Sequence, residues 1–262
     1  MTRYGNSNKH RYHFNFIDEL NQSGENIVKF GCVYMLCPFT GKSISSQVSF
    51  PIGDYIFYRF VSKQEVFYLI LSRNSPGHGK FIYFPRYEIV LGSRVTHSVR
   101  STMILFKTYM VANCQQVTRY INTRNKKKLL AMTGTCPHLG HTLLNELSAY
   151  YTLYKYKLLE NIDKFFLGGY DKWSFKEVFP EISDKVCIVT SPTNQIDEGE
   201  RKHDLDAFLT VLKGNYFAFK PLQNHKIQQK LADRVKDAAK KNVRQKTLDR
   251  IKQAKLSFPL VC

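Results

Sequence analysis

The densest cluster of reactive side chains is Thr135-Cys136-Pro137-His138-Leu139-Gly140-His141-Thr142-Leu143-Leu144-Asn145-Glu146-Leu147. Its imidazole at His141 can serve as a general base or hydrogen-bond to an anion, because an ordinary imidazole titrates near neutrality. Gly140, just before it, lets the backbone turn tightly or come close to a ligand. On a helix Asn145 lies one turn from His141 and shares its face, whereas Glu146 is rotated away by about 140°. The same histidine would equally suit a structural position, its ring bonded to a carbonyl. Cys136, His138 and His141 are all metal-ligating types, but a fourth ligand is unassigned and the spacing fits no closed zinc site. We assign no metal ligands.

Chemistry of this kind needs a rigid frame, and the flanking residues supply one. Lys128 to Thr133 reads as a compact strand, and Gly134 to Gly140 as a loop. Leu143, Leu147, Tyr150 and Tyr154 then recur at helical spacing, with Leu144, Tyr151 and Leu158 widening the apolar stripe. Phe165 to Leu167 forms the next strand, Trp173 to Phe179 a short helix, and Val186 to Val189 another strand. Strands alternating with helices in this way predict a parallel α/β unit. Such sheets hold ligands at the carboxyl ends of their strands, where the free amides and positive dipole end of a following helix suit a phosphate. The His141 cluster falls at that edge.

The rest of the chain divides around residue 110. Before it, Ile27 to Leu36, Asp54 to Val61, Glu65 to Ser72, Lys80 to Phe84, Ile89 to Leu91 and Met103 to Tyr109 read as strands. Residues 1–110 are therefore expected to be β-rich, and residues 111–262 to form the α/β domain. Asn74 to Gly79, with His78, reads as a hairpin-like loop. Asp171 and Trp173 follow a strand, and the indole could stack on a sugar face or pack inside. His203 and Asp204 suit the start of a helix running to Leu212, where an acidic residue complements the dipole. From His225 the chain is helical, with Ile227, Leu231, Val235 and Ala238 on one face and a break expected between Val243 and Lys246. Within this basic segment, 223–255, and its immediate approach, twelve Lys or Arg face three Asp between Lys220 and Lys255.

The formal net charge of the whole chain is +18, which implies a strong attraction to anions: nucleic acid, acidic lipid, nucleotide diphosphates or anionic glycans. Hydrophobic residues at 43% and charged residues at 23% exclude global disorder. The six cysteines form no compact framework, and a chain this long needs no staples, so free thiols in a reducing compartment are expected. No apolar run reaches the roughly 18 to 20 residues that span a bilayer, and no signal-like stretch follows the N-terminal basic residues. A cytoplasmic protein, held by charge at the inner face of an acidic membrane, is the expectation. No Walker A loop, zinc finger or single-stranded RNA module occurs.

Gly140-His141-Thr142-Leu143-Leu144-Asn145-Glu146-Leu147, with Tyr150-Tyr151 after it, resembles the Gly-His-x-Leu-Leu-x-Glu-Leu signature of the GT61-like bacterial capsular and lipopolysaccharide glycosyltransferases. Leu158 to Leu167 is similar to their next loop and strand, and the resemblance runs from about residue 128 to 190. It implies one Rossmann-like half of a GT-B-type enzyme, preceded by the β-rich region. It also implies a nucleotide-sugar donor, a glycan acceptor, and an active site in the cleft between two such halves. His141 matches the signature histidine, as base or phosphate contact, and Glu146 the signature acid; Gly140 and Asn145 would line the nucleotide sugar. No metal and no cofactor is expected. Pro259-Leu260-Val261-Cys262 reads as the first strand of a second half, so a truncated chain without its donor site is expected, inactive in transfer unless a partner chain supplies that half. The alternative expectation is a noncatalytic basic module that binds nucleic acid or an acidic membrane surface.

Overall fold

A computed structural model describes residues 3–5, 24–53, 55–63, 65–72, 80–92, 97–133, 146–167, 175–188, 196–221, 229–242, 247, 249–250 and 252–253. They form a mixed α/β fold with a six-stranded, a four-stranded and a two-stranded sheet. The first half of the chain contributes β1 (Arg3–Gly5), α1 (Gly24–Phe30), β2 (Val33–Leu36), β3 (Ser43–Ser46), β4 (Ser49–Ile52), β5 (Tyr55–Ser62), β6 (Glu65–Ser72), β7 (Lys80–Phe84) and β8 (Ile89–Gly92). Two helices follow, α2 (His97–Ala112) and α3 (Cys114–Asn122). β4 to β8 make an antiparallel meander in which each strand pairs with the next, and β1 adds to β8 in parallel. Two residues separate Ile52 from its partner Tyr55, and Gly53 takes φ 53° there, the left-handed conformation that matches a tight hairpin to strand twist.

Two expected strands are helical, one throughout and one in part. Met103 to Tyr109 lies within α2, because Val99, Met103, Phe106 and Tyr109 recur at intervals of three and four and are all buried. Phe106 stacks on Phe57 of the sheet with centroids 4.3 Å apart. Ile27 to Leu36 is split. Ile27 and Val28 are the buried face of α1, and Gly31 (φ 65°) ends that helix by donating its amide to the carbonyl of Ile27 at 2.7 Å. Only Val33–Leu36 is extended, paired with β3 as a separate hairpin. The strands expected at 54–61, 65–72, 80–84 and 89–91 are present to within a residue or so as β5 to β8.

The second half holds β9 (Lys128–Met132), α4 (Ser148–Lys155), β10 (Lys164–Leu167), α5 (Phe175–Val178), β11 (Val186–Ile188), α6 (Ile196–Gly214), β12 (Tyr216–Phe219) and α7 (Gln229–Asn242). All four strands are parallel, in the order β11-β10-β9-β12. The chain steps outward from β9 through β10 to β11, then returns through α6 to place β12 on the other side of β9. Asp163 locks the start of this sheet: the amide of Leu129 donates to its Oδ2 at 2.7 Å, and its own amide donates to the carbonyl of Leu129 at 3.1 Å. The helix opening placed at His203 and Asp204 is a correction, since α6 starts eight residues earlier than Asp204, at Ile196. The break expected at 243–246 lies outside the described residues.

The two main sheets meet edge to edge. Ser49 of β4 accepts the amide of Ala218 of β12 on its Oγ at 2.6 Å. Tyr120 of α3 donates its hydroxyl to the carbonyl of Tyr216 at 2.7 Å and accepts the amide of Ser49 at 3.2 Å. These bonds fill hydrogen-bonding groups that a bare edge strand would leave open. Phe50 packs over the seam against Tyr120, Phe106 and Phe208, with centroids 5.6, 6.3 and 6.0 Å away. One apolar core therefore runs through both halves.

Candidate functional site

Because the sheet is parallel, the carboxyl ends of all four strands share one edge. Between β9 and β12 the chain reverses its direction of winding, the kind of switch point at which open α/β sheets hold ligands. Thr133 follows β9 there and Lys220 follows β12. The residues leading back from β9 toward α4 end at Glu146. Glu146 and Leu147 form a wide π-type turn into α4, a local irregularity that recurs at functional sites. Gly140, His141 and Asn145 lie outside the described residues, as do Cys136, His138, His78, Asp171 and Trp173.

Glu146 is 7% exposed, and its Oε1 stands 3.4 Å from Nζ of Lys220. The two side chains, 74 residues apart in sequence, form an ion pair in a setting where isolated charges are costly. Four residues beyond Glu146, on the same helical face, Tyr150 turns its ring into an aromatic cluster of Phe175, Phe165 and Phe179 at 5.0, 5.8 and 6.4 Å. Its hydroxyl is the one buried side-chain polar atom without a hydrogen-bond partner among the described residues. Burial, reinforced by the charge of Glu146, pushes this phenol well above its ordinary range, so it stays protonated. The carboxyl edge thus brings a cation, a carboxylate and a buried hydroxyl close together.

The opposite edge of the same strand pair is built differently. Lys127, 8% exposed, donates to the carbonyl of Tyr120 at 2.8 Å and to Oδ1 of Asn215 at 2.9 Å. Its ammonium lies 3.9 Å from the centroid of the Tyr120 ring. Burial pulls it down to about 8.

Of the residues expected at the site, the structure describes Glu146, which it sets against Lys220 beyond the ends of β9 and β12. Lys220 and Tyr150 are additions. Lys220 had counted only as part of a basic segment, yet it is the first residue after the apolar run Tyr216 to Phe219, which is where a parallel strand delivers a side chain to the carboxyl edge. Tyr150 had counted only as part of the helical stripe, and its spacing of four from Glu146 was the available signal. Asp204-Leu205-Asp206 has the spacing of a metal-binding Asp-x-Asp and lies inside α6. Among the described residues no three His, Cys, Asp or Glu side chains converge. Cys32, Cys37, Cys114 and Cys187 are free thiols. No helix among the described residues is long and apolar enough to cross a membrane. Compared with protein-family models, curated proteins and solved structures, the chain matches none of them.

Proposed function

We propose that the chain works in a glycosyltransferase of capsular or lipopolysaccharide glycan synthesis, its parallel sheet serving as one Rossmann-like half of a GT-B-type enzyme. The observation that carries this reading is the burial of Glu146 against Lys220 at the switch point, 3.4 Å apart. The acid of the Gly140-to-Leu147 motif thereby lies beyond the carboxyl ends of β9 and β12, the edge at which parallel sheets take ligands, and this supports the reading. The strand order adds support: β11-β10-β9-β12 is the order 3-2-1-4 with which a doubly wound sheet begins, a three-stranded mononucleotide-binding unit followed by one strand across the switch point.

In this reading an acceptor hydroxyl attacks the anomeric carbon of a nucleotide sugar, and His141 takes its proton or contacts a phosphate. The bond from that carbon to the phosphate oxygen breaks, and the nucleoside diphosphate leaves with the electron pair. Glu146 is a positioning residue, held by Lys220. Gly140 and Asn145 line the ligand. In this reading the cleft lies between this half and a second nucleotide-binding half, and the enzyme works on the cytoplasmic side, at the inner membrane.

Calorimetric titration of the purified chain with acceptor oligosaccharides and with nucleoside diphosphates tests the proposal. His141→Ala and Glu146→Gln are expected to weaken binding by about tenfold or more, since each removes a group that meets or orients the ligand. Unchanged melting of His141→Ala shows that the fold survives. Native-like binding by both variants, or no binding of either ligand class by the native chain, refutes the assignment. A noncatalytic nucleic-acid module is favoured instead by the exposed lysines of α7, and its mark would be a salt-steep affinity for random DNA that ignores His141→Ala.

A further inference from the structure

From Ile89 to Asn145 the chain contains no Asp or Glu and eight Lys or Arg. This acid-free tract includes α2, α3 and the start of β9. Asn113 alone separates the two helices, and the ladder runs across it: its amide donates to the carbonyl of Tyr109 at 3.1 Å, and the amide of Val117 donates to its carbonyl at 2.9 Å. One long, nearly continuous helical surface results. Its inner face is buried through Val99, Met103, Phe106, Tyr109, Val117 and Tyr120. Its outer face carries two large aliphatic side chains seven residues apart, Ile104 at 67% exposure and Val111 at 76%. Beyond them come Arg119, Arg124, Lys126 and Lys128, all exposed and none ion-paired among the described residues.

We infer that this outer face docks the protein on an anionic phospholipid surface, with Ile104 and Val111 entering the headgroup boundary and the basic residues of α3 and its exit meeting the phosphates. Glu88, from outside the tract, pairs with Lys107 of α2, but the cations from Arg119 onward have no such partner among the described residues, and exposed aliphatic groups beside them fit a surface that offers both hydrocarbon and anions. Nucleic acid offers the anions, but its backbone gives Ile104 and Val111 nothing apolar to enter. The lysines of α7 are also exposed, but acidic residues such as Asp233 and Asp237 are interleaved with them, and Asp237 pairs with Lys240 at 3.2 Å. The inference is independent of the sugar-transfer reading, because it concerns a different face and its readout involves no sugar.

Sedimentation of the full chain with vesicles tests it, comparing pure phosphatidylcholine with mixtures containing about one-third phosphatidylglycerol. Binding is expected only to the anionic vesicles and to fall steeply with salt. Ile104→Ser with Val111→Ser is expected to weaken it by about tenfold, and Arg119→Glu with Arg124→Glu and Lys126→Glu to abolish it. Lys236→Glu with Lys241→Glu on α7 is expected to leave more than about a third of the affinity. The inference fails if the aliphatic variants bind like the native chain, if the α7 variants cause the larger loss, or if single-stranded DNA outcompetes the vesicles at matched phosphate concentration.

Discussion

A buried lysine and a half-buried one stand at opposite ends of one pair of parallel strands, in different chemical settings. At the amino edge, Lys127 is held by a carbonyl, a carboxamide and an aromatic face, with no carboxylate among its described hydrogen-bond partners. At the carboxyl edge, Lys220 faces the carboxylate of Glu146. The amino edge is a joint. Lys127 stacks under the same Tyr120 whose hydroxyl ties β4 to β12, so its environment is full and its hydrogen bonds are satisfied. The carboxyl edge keeps charge and an unpartnered hydroxyl close together. In a parallel sheet the loops that can vary for ligand binding gather at the carboxyl ends, and the difference between the lysines follows that polarity.

If the amino edge is structural, its variants should cost stability. Tyr120→Ala removes a buried ring and strands the amide of Ser49 and the carbonyl of Tyr216, so a loss of about 3–5 kcal/mol is expected in urea denaturation. A loss below about 1 kcal/mol would mean that the seam between the sheets contributes little.

The titration of Lys127 sharpens the contrast next. Its folded value, about 8, lies below the ordinary value of 10.5. Between those two limits the unfolded chain binds more protons, so stability rises as pH increases through that window; below about 8 the full cost of burying the ammonium is present. The gain is on the order of 1–3 kcal/mol. Denaturation across that range should show it in the native chain and not in Lys127→Met. Equal slopes in the two proteins would place the ammonium in water.

Tyr150→Phe carries the smallest expected effect and bears on the carboxyl edge. Deleting a buried hydroxyl that has no hydrogen-bond partner should change stability by no more than about 1 kcal/mol, in the stabilising direction. A larger loss in thermal melting would show that the hydroxyl is engaged. If acceptor binding fell while melting held, that engagement would be with ligand.

The local alternation of the second half was legible from residue order. Lys128–Met132, Lys164–Leu167 and Val186–Ile188 are short apolar runs, each bounded by glycine, charge or a turn, and Phe175–Val178 ends before a proline. Met103 to Tyr109 was misread, because a short apolar run does not declare its period: the burial of Val99 and Phe106 on one side separates helix from strand. Ile27 to Leu36 was misread because the left-handed turn at Gly31 divides it, and glycine is equally at home in a loop.

The types of residue at the candidate site were likewise visible in the motif, and Glu146 with them. Its partner was not. Glu146 and Lys220 are 74 residues apart, Ser49 and Tyr120 are 71 apart, and Ser49 and Ala218 are 169 apart. Residue order by itself determined the alternation of strands and helices, the excess of positive charge and the acid-free tract, because these depend on neighbours along the chain. The order of the parallel strands, the joining of two sheets at Ser49 and Tyr120, and the meeting of carboxylate with ammonium were decided only in the tertiary structure. Those features come from burying sheet faces and pairing edge groups across long loops, and the free energy that selects them belongs to no local segment.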